Sequence, residues 1–271
     1  MISFIASSTT VAVDDHVDVT VPVGTIDGDL VVVALTEYIP ATAPPVPSVP
    51  GFTRQTTFNT GFAGKGTQVF TAAWDTATMG APGTVTFTDP SGGGSEAWSV
   101  VAATYRSDTG TPPVQRCFAV QAAYAESNPG SWAFSDWFAG APAATPFGPY
   151  DRLRSGGVIG PDDMCVYVFG ATTTAGTMTG TVDANTRVPT ASTVGGSPTT
   201  AAVRGLAAQD FSTFFTAMVG VCDEPGTDAI PGEHRDWAFT GPQPTIHTVG
   251  LLVRDPGGSD QAGFISGYMS W

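Results

Sequence analysis

The sequence predicts an all-β protein made of two related antiparallel β-sandwiches, jelly-roll or immunoglobulin-like, packed against each other. Three observations predict it. Short runs rich in valine, threonine and alanine recur between Gly, Pro and Asp turn signals, the pattern of short strands in a sandwich or barrel. No stretch keeps apolar residues at helical spacing over three turns. The same ordered signals then appear in each half of the chain, as expected of an internal duplication.

The first half is organised around Asp27-Gly-Asp-Leu-Val-Val-Val-Ala-Leu35, a turn signal running into six apolar residues. Such a run predicts a strand buried on both faces. Before it, residues 2–13 alternate loosely, Asp14-Asp-His16 is a turn, and Val17–Val23 alternates as a half-buried strand with Pro22 near its end. Residues 39–50 carry five prolines and predict an extended loop. Pro50-Gly-Phe-Thr-Arg54 predicts a tight turn into a strand, and Thr67–Trp74 a further strand. Asp75–Gly83 reads as a turn region, Thr84–Thr88 as a strand of clean alternation and Asp89–Gly94 as a turn. Ala97–Tyr105 is a long buried strand ending at Arg106.

The second half repeats the order. Val114–Ala125 takes the role of the opening strands. Met164–Phe169, in Pro161-Asp-Asp-Met-Cys-Val-Tyr-Val-Phe169, matches Leu30–Leu35, and Thr186-Arg187 matches Thr53-Arg54. Phe215–Asp223 matches Phe70–Asp75 with three extra residues, Trp237–Thr240 matches Val85–Thr88, and Ile246–Val253 before Arg254 matches Trp98–Tyr105 before Arg106. These matches divide the chain into a first sandwich at 1–111, a second at 112–256 and a tail at 257–271, with one larger merged sandwich as the alternative. The connection at 124–155 has no counterpart. It sets Trp132, Phe134, Trp137, Phe138, Phe147 and Tyr150 among Gly, Pro and Ala, and long irregular connections of this kind are usually functional or mobile. The tail ends on Tyr268-Met-Ser-Trp271, apolar residues suited to docking on a neighbour or on the chain's own domain.

Composition narrows the function classes. An apolar fraction of 42% supports a substantial core, and 13% charged residues is far from the high charge that accompanies disorder. The net charge is −14 with a single lysine, Lys65, so direct binding to nucleic acid or to an anionic membrane lacks the positive patch it needs. No apolar segment approaches the length of a transmembrane helix, and the N-terminus lacks a signal peptide's basic start and apolar core, so cytoplasmic synthesis is expected. Cys117, Cys165 and Cys222 lie far apart with no Cys-x-x-Cys pair. Zinc and thioredoxin-type chemistry have no support, and Cys165 and Cys222 read as buried thiols.

No motif declares a chemistry. His16, His234 and His247 stand apart, and no His-Glu-x-x-His, Gly-x-Ser-x-Gly or P-loop occurs. The carboxylate pairs Asp14/Asp15/Asp18, Asp27/Asp29, Asp162/Asp163 and Asp223/Glu224 have the residue type of glycosidase acids or calcium ligands. Each sits at a predicted turn, where Asp ordinarily accepts backbone hydrogen bonds. Gly92-Gly-Gly94 and the glycines from Gly61 to Gly66 precede no helix and read as hairpin turns. Neither a catalytic residue nor a cofactor nor a metal is expected. The candidate contact residues are Trp132, Phe134, Trp137, Phe138, Tyr150, Tyr268 and Trp271. They would serve a partner interface, the chain's own core or a sugar-stacking surface.

Gly28-Asp-Leu-Val, Pro50-Gly-Phe-Thr53, Gly83-Thr-Val-Thr-Phe-Thr88 and Ala103-Thr-Tyr-Arg106, in this order, resemble the β-sandwich structural proteins of tailed bacteriophages, above all minor tail proteins of phages infecting actinobacteria. The resemblance covers about residues 15–255 and is strongest in the first half. Gly51-Phe-Thr53 departs from the family's usual Gly-Trp-Thr. The resemblance implies a non-enzymatic virion protein, at the tail or tail tip rather than the head. The implied partners are other virion proteins and further copies of itself, a trimer being one arrangement, with host cell-wall glycan a candidate ligand in host attachment. It supplies no catalytic residues. A capsid decoration protein and a carbohydrate-binding module are the alternatives, and a hydrolase the remaining one.

Overall fold

The computed structural model describes residues 1–38, 44–55, 65–90, 96–124, 132–133, 162–173, 187–189, 202–212, 215–225, 233–235, 238–239 and 245–256. The fold is all-β. In the first half the strands are β1 (Ile2–Asp14), β2 (His16–Thr20), β3 (Leu30–Tyr38), β4 (Val46–Pro47), β5 (Thr53–Arg54), β6 (Lys65–Ala73), β7 (Thr84–Thr88) and β8 (Glu96–Ser107). In the second they are β9 (Val114–Tyr124), β10 (Trp132–Ala133), β11 (Met164–Thr173), β12 (Arg187–Pro189), β13 (Ala202–Ser212), β14 (Phe215–Pro225), β15 (Glu233–Arg235), β16 (Ala238–Phe239) and β17 (Thr245–Arg254). The one helix among the described residues, α1 (Thr76–Met79), is a single turn in the predicted turn region, started by the Asp75 side chain accepting from Ala77 N.

Every pairing is antiparallel. Strands before residue 111 form a five-stranded sheet, β1-β8-β3-β6-β5, and a three-stranded sheet, β2-β7-β4. Strands after it form a second five-stranded sheet, β13-β14-β11-β17-β9, and the small pairs β10-β16 and β12-β15. Read from β9, the second sheet runs β9-β17-β11-β14, the order in which the matched strands β1-β8-β3-β6 stand in the first, and β13 holds the edge position that β5 holds there.

The Gly-Asp-Leu-Val run becomes β3, at the centre of the first sheet. Leu30–Leu35 are all at most 1% exposed. Their alternation sends Leu30, Val32 and Ala34 into one core and Val31, Val33 and Leu35 into another. The second of these cores lies against the three-stranded sheet and holds Val17, Val19, Phe70, Trp74, Val85, Phe87 and Trp98. The first is shared between the halves: Val101, Ala103 and Tyr105 of β8 meet Val166 and Val168 of β11, Val219 and Val221 of β14 and Val249 and Leu251 of β17. The two halves thus pack face to face through their five-stranded sheets, in three layers over the described residues.

A strand apolar on both faces has a register problem. Slipping it by one residue exchanges one apolar face for another, so burial alone punishes the slip weakly. Polar clamps at the strand ends supply what is missing. Asp29, just before β3, takes a bidentate pair from Arg106 at the end of β8, at 2.7 and 2.7 Å. Asp163, just before β11, takes the corresponding pair from Arg254 at the end of β17, at 3.0 and 2.7 Å.

Three elements differ from the sequence expectation. The proline-rich stretch contains β4, which holds the sheet edge beside β7, where a proline's missing N–H costs nothing. β13 lies where no strand is expected, because bulges between Val203 and Gly205 and between Asp210 and Ser212 break its alternation. Arg187 and Thr53-Arg54 take different partners: β12 pairs with β15, whereas β5 pairs with β6, and Thr186 lies outside the described residues.

Candidate functional site

The aromatic contact residues are only partly placed. Trp132 lies in β10, in register with Phe239 of β16. Phe134, Trp137, Phe138, Tyr150, Tyr268 and Trp271 lie outside the described residues.

The carboxylates single out structural roles. Asp27 accepts from the backbone and hydroxyl of Thr76 at the start of α1, which holds its carboxyl below the usual range. Asp29 and Asp163 form the arginine clamps. Asp223 corrects the expectation of a turn: it lies within β14, buried at 1% exposure, and it joins the halves. Tyr105 Oη donates to it at 2.9 Å, and Arg204 of β13 donates two hydrogen bonds at 2.8 Å each. The Arg204 guanidinium also stacks 3.9 Å over the Phe4 ring, and Ser99 Oγ donates across the same layer to the Ala217 carbonyl at 2.7 Å. Burial pushes Asp223 up despite Arg204, and burial together with the Asp223 charge pushes the Tyr105 phenol well up.

One end of the first sandwich concentrates negative charge. Asp14 at the end of β1, Asp15, and His16 at the start of β2 bring one ligand atom each within 4.8 Å of one another. The group is exposed and satisfied internally: His16 Nδ1 and Asp15 Oδ1 are 2.7 Å apart, and that bond raises the histidine and lowers the aspartate. Behind it lies a buried set that the sequence reading did not single out: Glu37, Gln68, Asp89 and Glu96, at 4%, 7%, 3% and 3% exposure. Glu37, Gln68 and Glu96 continue the inward-facing series Val31, Val33, Leu35 on β3, Ala72, Phe70 on β6 and Val100, Trp98 on β8. A polar residue in phase with a buried apolar series was the available signal.

Gln68 Nε2 donates to Glu37 Oε1 at 3.0 Å. Glu37 Oε2, Gln68 Oε1 and both Glu96 carboxylate oxygens have no hydrogen-bond partner. Burial drives Glu37 well above the usual carboxylate range, helped by the Glu96 charge. Burial likewise pushes Glu96 up to about 9, with contact and charge from the neighbouring Asp89 adding to it, although no donor meets hydrogen-bond geometry on either Glu96 oxygen.

These shifts set a pH dependence with a definite sign. The folded protein keeps the Glu96 proton up to about pH 9, whereas the unfolded chain releases it near the ordinary value of 4.5. Unfolding therefore releases a proton across that window, and stability falls as pH rises. In buffer free of divalent ions, thermal unfolding is expected at a higher temperature at pH 5.5 than at pH 8, and Glu96→Gln is expected to flatten the slope. A slope unchanged by Glu96→Gln would show that other groups set it.

Comparison with protein-family models, curated proteins and solved structures gives no match for this chain. What the fold itself defines is a class, an all-β sandwich protein with two face-to-face five-stranded sheets. Among the described residues no helix is long and apolar enough to cross a membrane.

Proposed function

We propose that this chain is a non-enzymatic structural protein of a phage virion, a minor tail or tail-tip component that assembles through the surfaces of its sandwiches. The observation that carries the reading is the flank formed by β1 and β13. Each is the last strand of its five-stranded sheet, and they run to 13 and 11 residues. They stand beside each other, joined by the hydrogen bond from Ser7 Oγ to the Arg204 carbonyl. Val11, Val13, Val203 and Leu206 are exposed along this flank. A strand of this length at a sheet edge, with apolar side chains exposed along it, is suited to strand addition by a neighbour. The shared core behind it gives a stiff body, and the low charge suits a dry interface. The resemblance of the strand-end motifs to tail proteins points to the virion as the assembly. The partners are other virion proteins and further copies of this chain, arranged by symmetry. The aromatic connection and the apolar tail provide further contact surface, with host-wall glycan as a candidate ligand.

Immunogold labelling of intact particles, with antibody to this chain, tests the location. Gold at the tail or tail tip is the expected result. Gold on the head replaces the tail reading with a decoration protein. Absence of the chain from purified particles by mass spectrometry removes a virion role altogether.

A further inference from the structure

The buried polar end of the first sandwich has a one-sided chemistry. Its orphaned atoms are Glu37 Oε2, Gln68 Oε1, Glu96 Oε1 and Glu96 Oε2: four oxygens of two carboxyl groups and one amide, with no nitrogen among them. Native proteins leave few buried polar atoms unsatisfied, so four on neighbouring inward positions of β3, β6 and β8 call for a common partner. Among the described residues no cationic side chain pairs with Glu37 or Glu96. Asp89, at 3% exposure just after β7, brings a third carboxylate from the facing sheet and acts electrostatically on both glutamates. Carboxylate and amide oxygens without nitrogen or sulfur are the donor set of a hard cation. Calcium takes six to eight such oxygens in flexible geometry, which suits a mixed set of Glu, Asp and Gln better than magnesium's strict octahedron does.

We propose that this end of the first sandwich binds a hard divalent cation of the calcium class, with Glu37, Gln68, Asp89 and Glu96 supplying its protein ligands. The ion would coordinate the orphaned oxygens and tie β3, β6 and β8 to the chain leaving β7. The exposed Asp14–Asp15–His16 group is a separate and weaker candidate, because its atoms already satisfy one another. The buried carboxylates do not form so tight a group. Binding would draw them in by rotation of side chains.

The test uses the full chain stripped with chelator and dialysed at neutral pH. Thermal unfolding is followed during titration with calcium chloride, and terbium luminescence is excited through tryptophan, Trp98 being two residues from Glu96 on the same strand face. Calcium is expected to raise the melting temperature by several degrees, and magnesium by less. Glu37→Gln with Glu96→Gln keeps shape and removes two carboxyl ligands, so this variant is expected to fold at least as stably in chelator and to lose both the calcium shift and the terbium signal. Asp14→Asn with Asp15→Asn is expected to keep both. No shift in the natural chain up to about 10 mM calcium, beyond the range of the weakest calcium modules, overturns the proposal. So does a shift that survives the double glutamine variant, or one abolished by the Asp14/Asp15 variant. A chain indifferent to calcium but stabilised by acid would assign the orphaned oxygens to protons instead.

Discussion

Asp163→Ala is expected to lower stability by about 3–5 kcal/mol, the cost of breaking a buried ion pair from one side. The Arg254 and Asp163 side chains are 7% and 4% exposed, so the guanidinium has little access to water once the carboxylate is gone. The equivalent clamp in the first half provides an internal comparison. Arg106 is 35% exposed against 1% for Asp29, so in Asp29→Ala the arginine turns outward and hydrates. The loss there is expected to be smaller, although Asp29 Oδ2 also accepts from Ile26 N at 2.9 Å. Denaturant unfolding of both variants, followed by tryptophan fluorescence, measures the difference. Equal losses would mean that solvent access does not decide the value of these clamps. A small loss for Asp163→Ala would mean that the second clamp does not hold β11 in register.

The second large effect is expected at Gly170, in β11. The two halves approach closely here. A Cβ at this position would stand 2.7 Å from Thr67 Cβ and still closer to the hydroxyls of Thr67 and Thr36. Those two threonines are fully buried and joined by a 2.8 Å hydrogen bond between their hydroxyl oxygens. β-Branched side chains cannot swing away freely, and backbone lies behind them, so the strain must move one sheet against the other. Gly170→Ala is expected to cost about 3 kcal/mol, at the upper end of overpacking penalties, and Gly170→Val more. Gly83→Ala is the control. Its added Cβ meets only the Ala81 carbonyl at 3.7 Å, so a change within about 0.5 kcal/mol is expected. Equal effects of Gly170→Ala and Gly83→Ala in thermal unfolding would show that the halves are not in contact at this point in solution. Gly205 makes the same kind of approach, where a Cβ would lie 2.7 Å from Val101 Cγ1.

Both clamps and the shared order of the two five-stranded sheets fit the proposal that the halves descend from one duplicated unit. The strand-end arginines were visible in the sequence as Tyr105-Arg106 and Val253-Arg254, each closing the last strand of its half. Their partners were visible only as turn aspartates. A one-dimensional pattern does not say whether a turn carboxylate caps backbone, as Asp27 does at Thr76, or holds an arginine from a distant strand, as Asp163 does.

The sequence by itself determined the strands whose alternation is unbroken. The apolar runs at Leu30–Leu35 and Met164–Val168, the alternating Thr84–Thr88 and the long Ala97–Tyr105 are all legible, because side-chain direction in a strand repeats every two residues whatever the partner. It also determined that β3 is covered on both faces along Leu30–Leu35, since no polar residue interrupts that run. Only the tertiary structure decided what covers each face. One face meets the three-stranded sheet and the other meets the second half. It decided that β13 is a strand at all, since its pairing with β14 persists through two bulges that erase the period. It also placed Asp223 between Tyr105 and Arg204, and set Glu37, Gln68 and Glu96 as neighbours. These residues come from separate strands, 19 positions apart for Arg204–Asp223, 31 for Glu37–Gln68 and 118 for Tyr105–Asp223, the last a pair that meets only once the sheets have stacked. Periodicity is a local property of the chain, whereas charge burial and the supply of hydrogen-bond donors depend on which faces meet, and that choice is made by long-range packing.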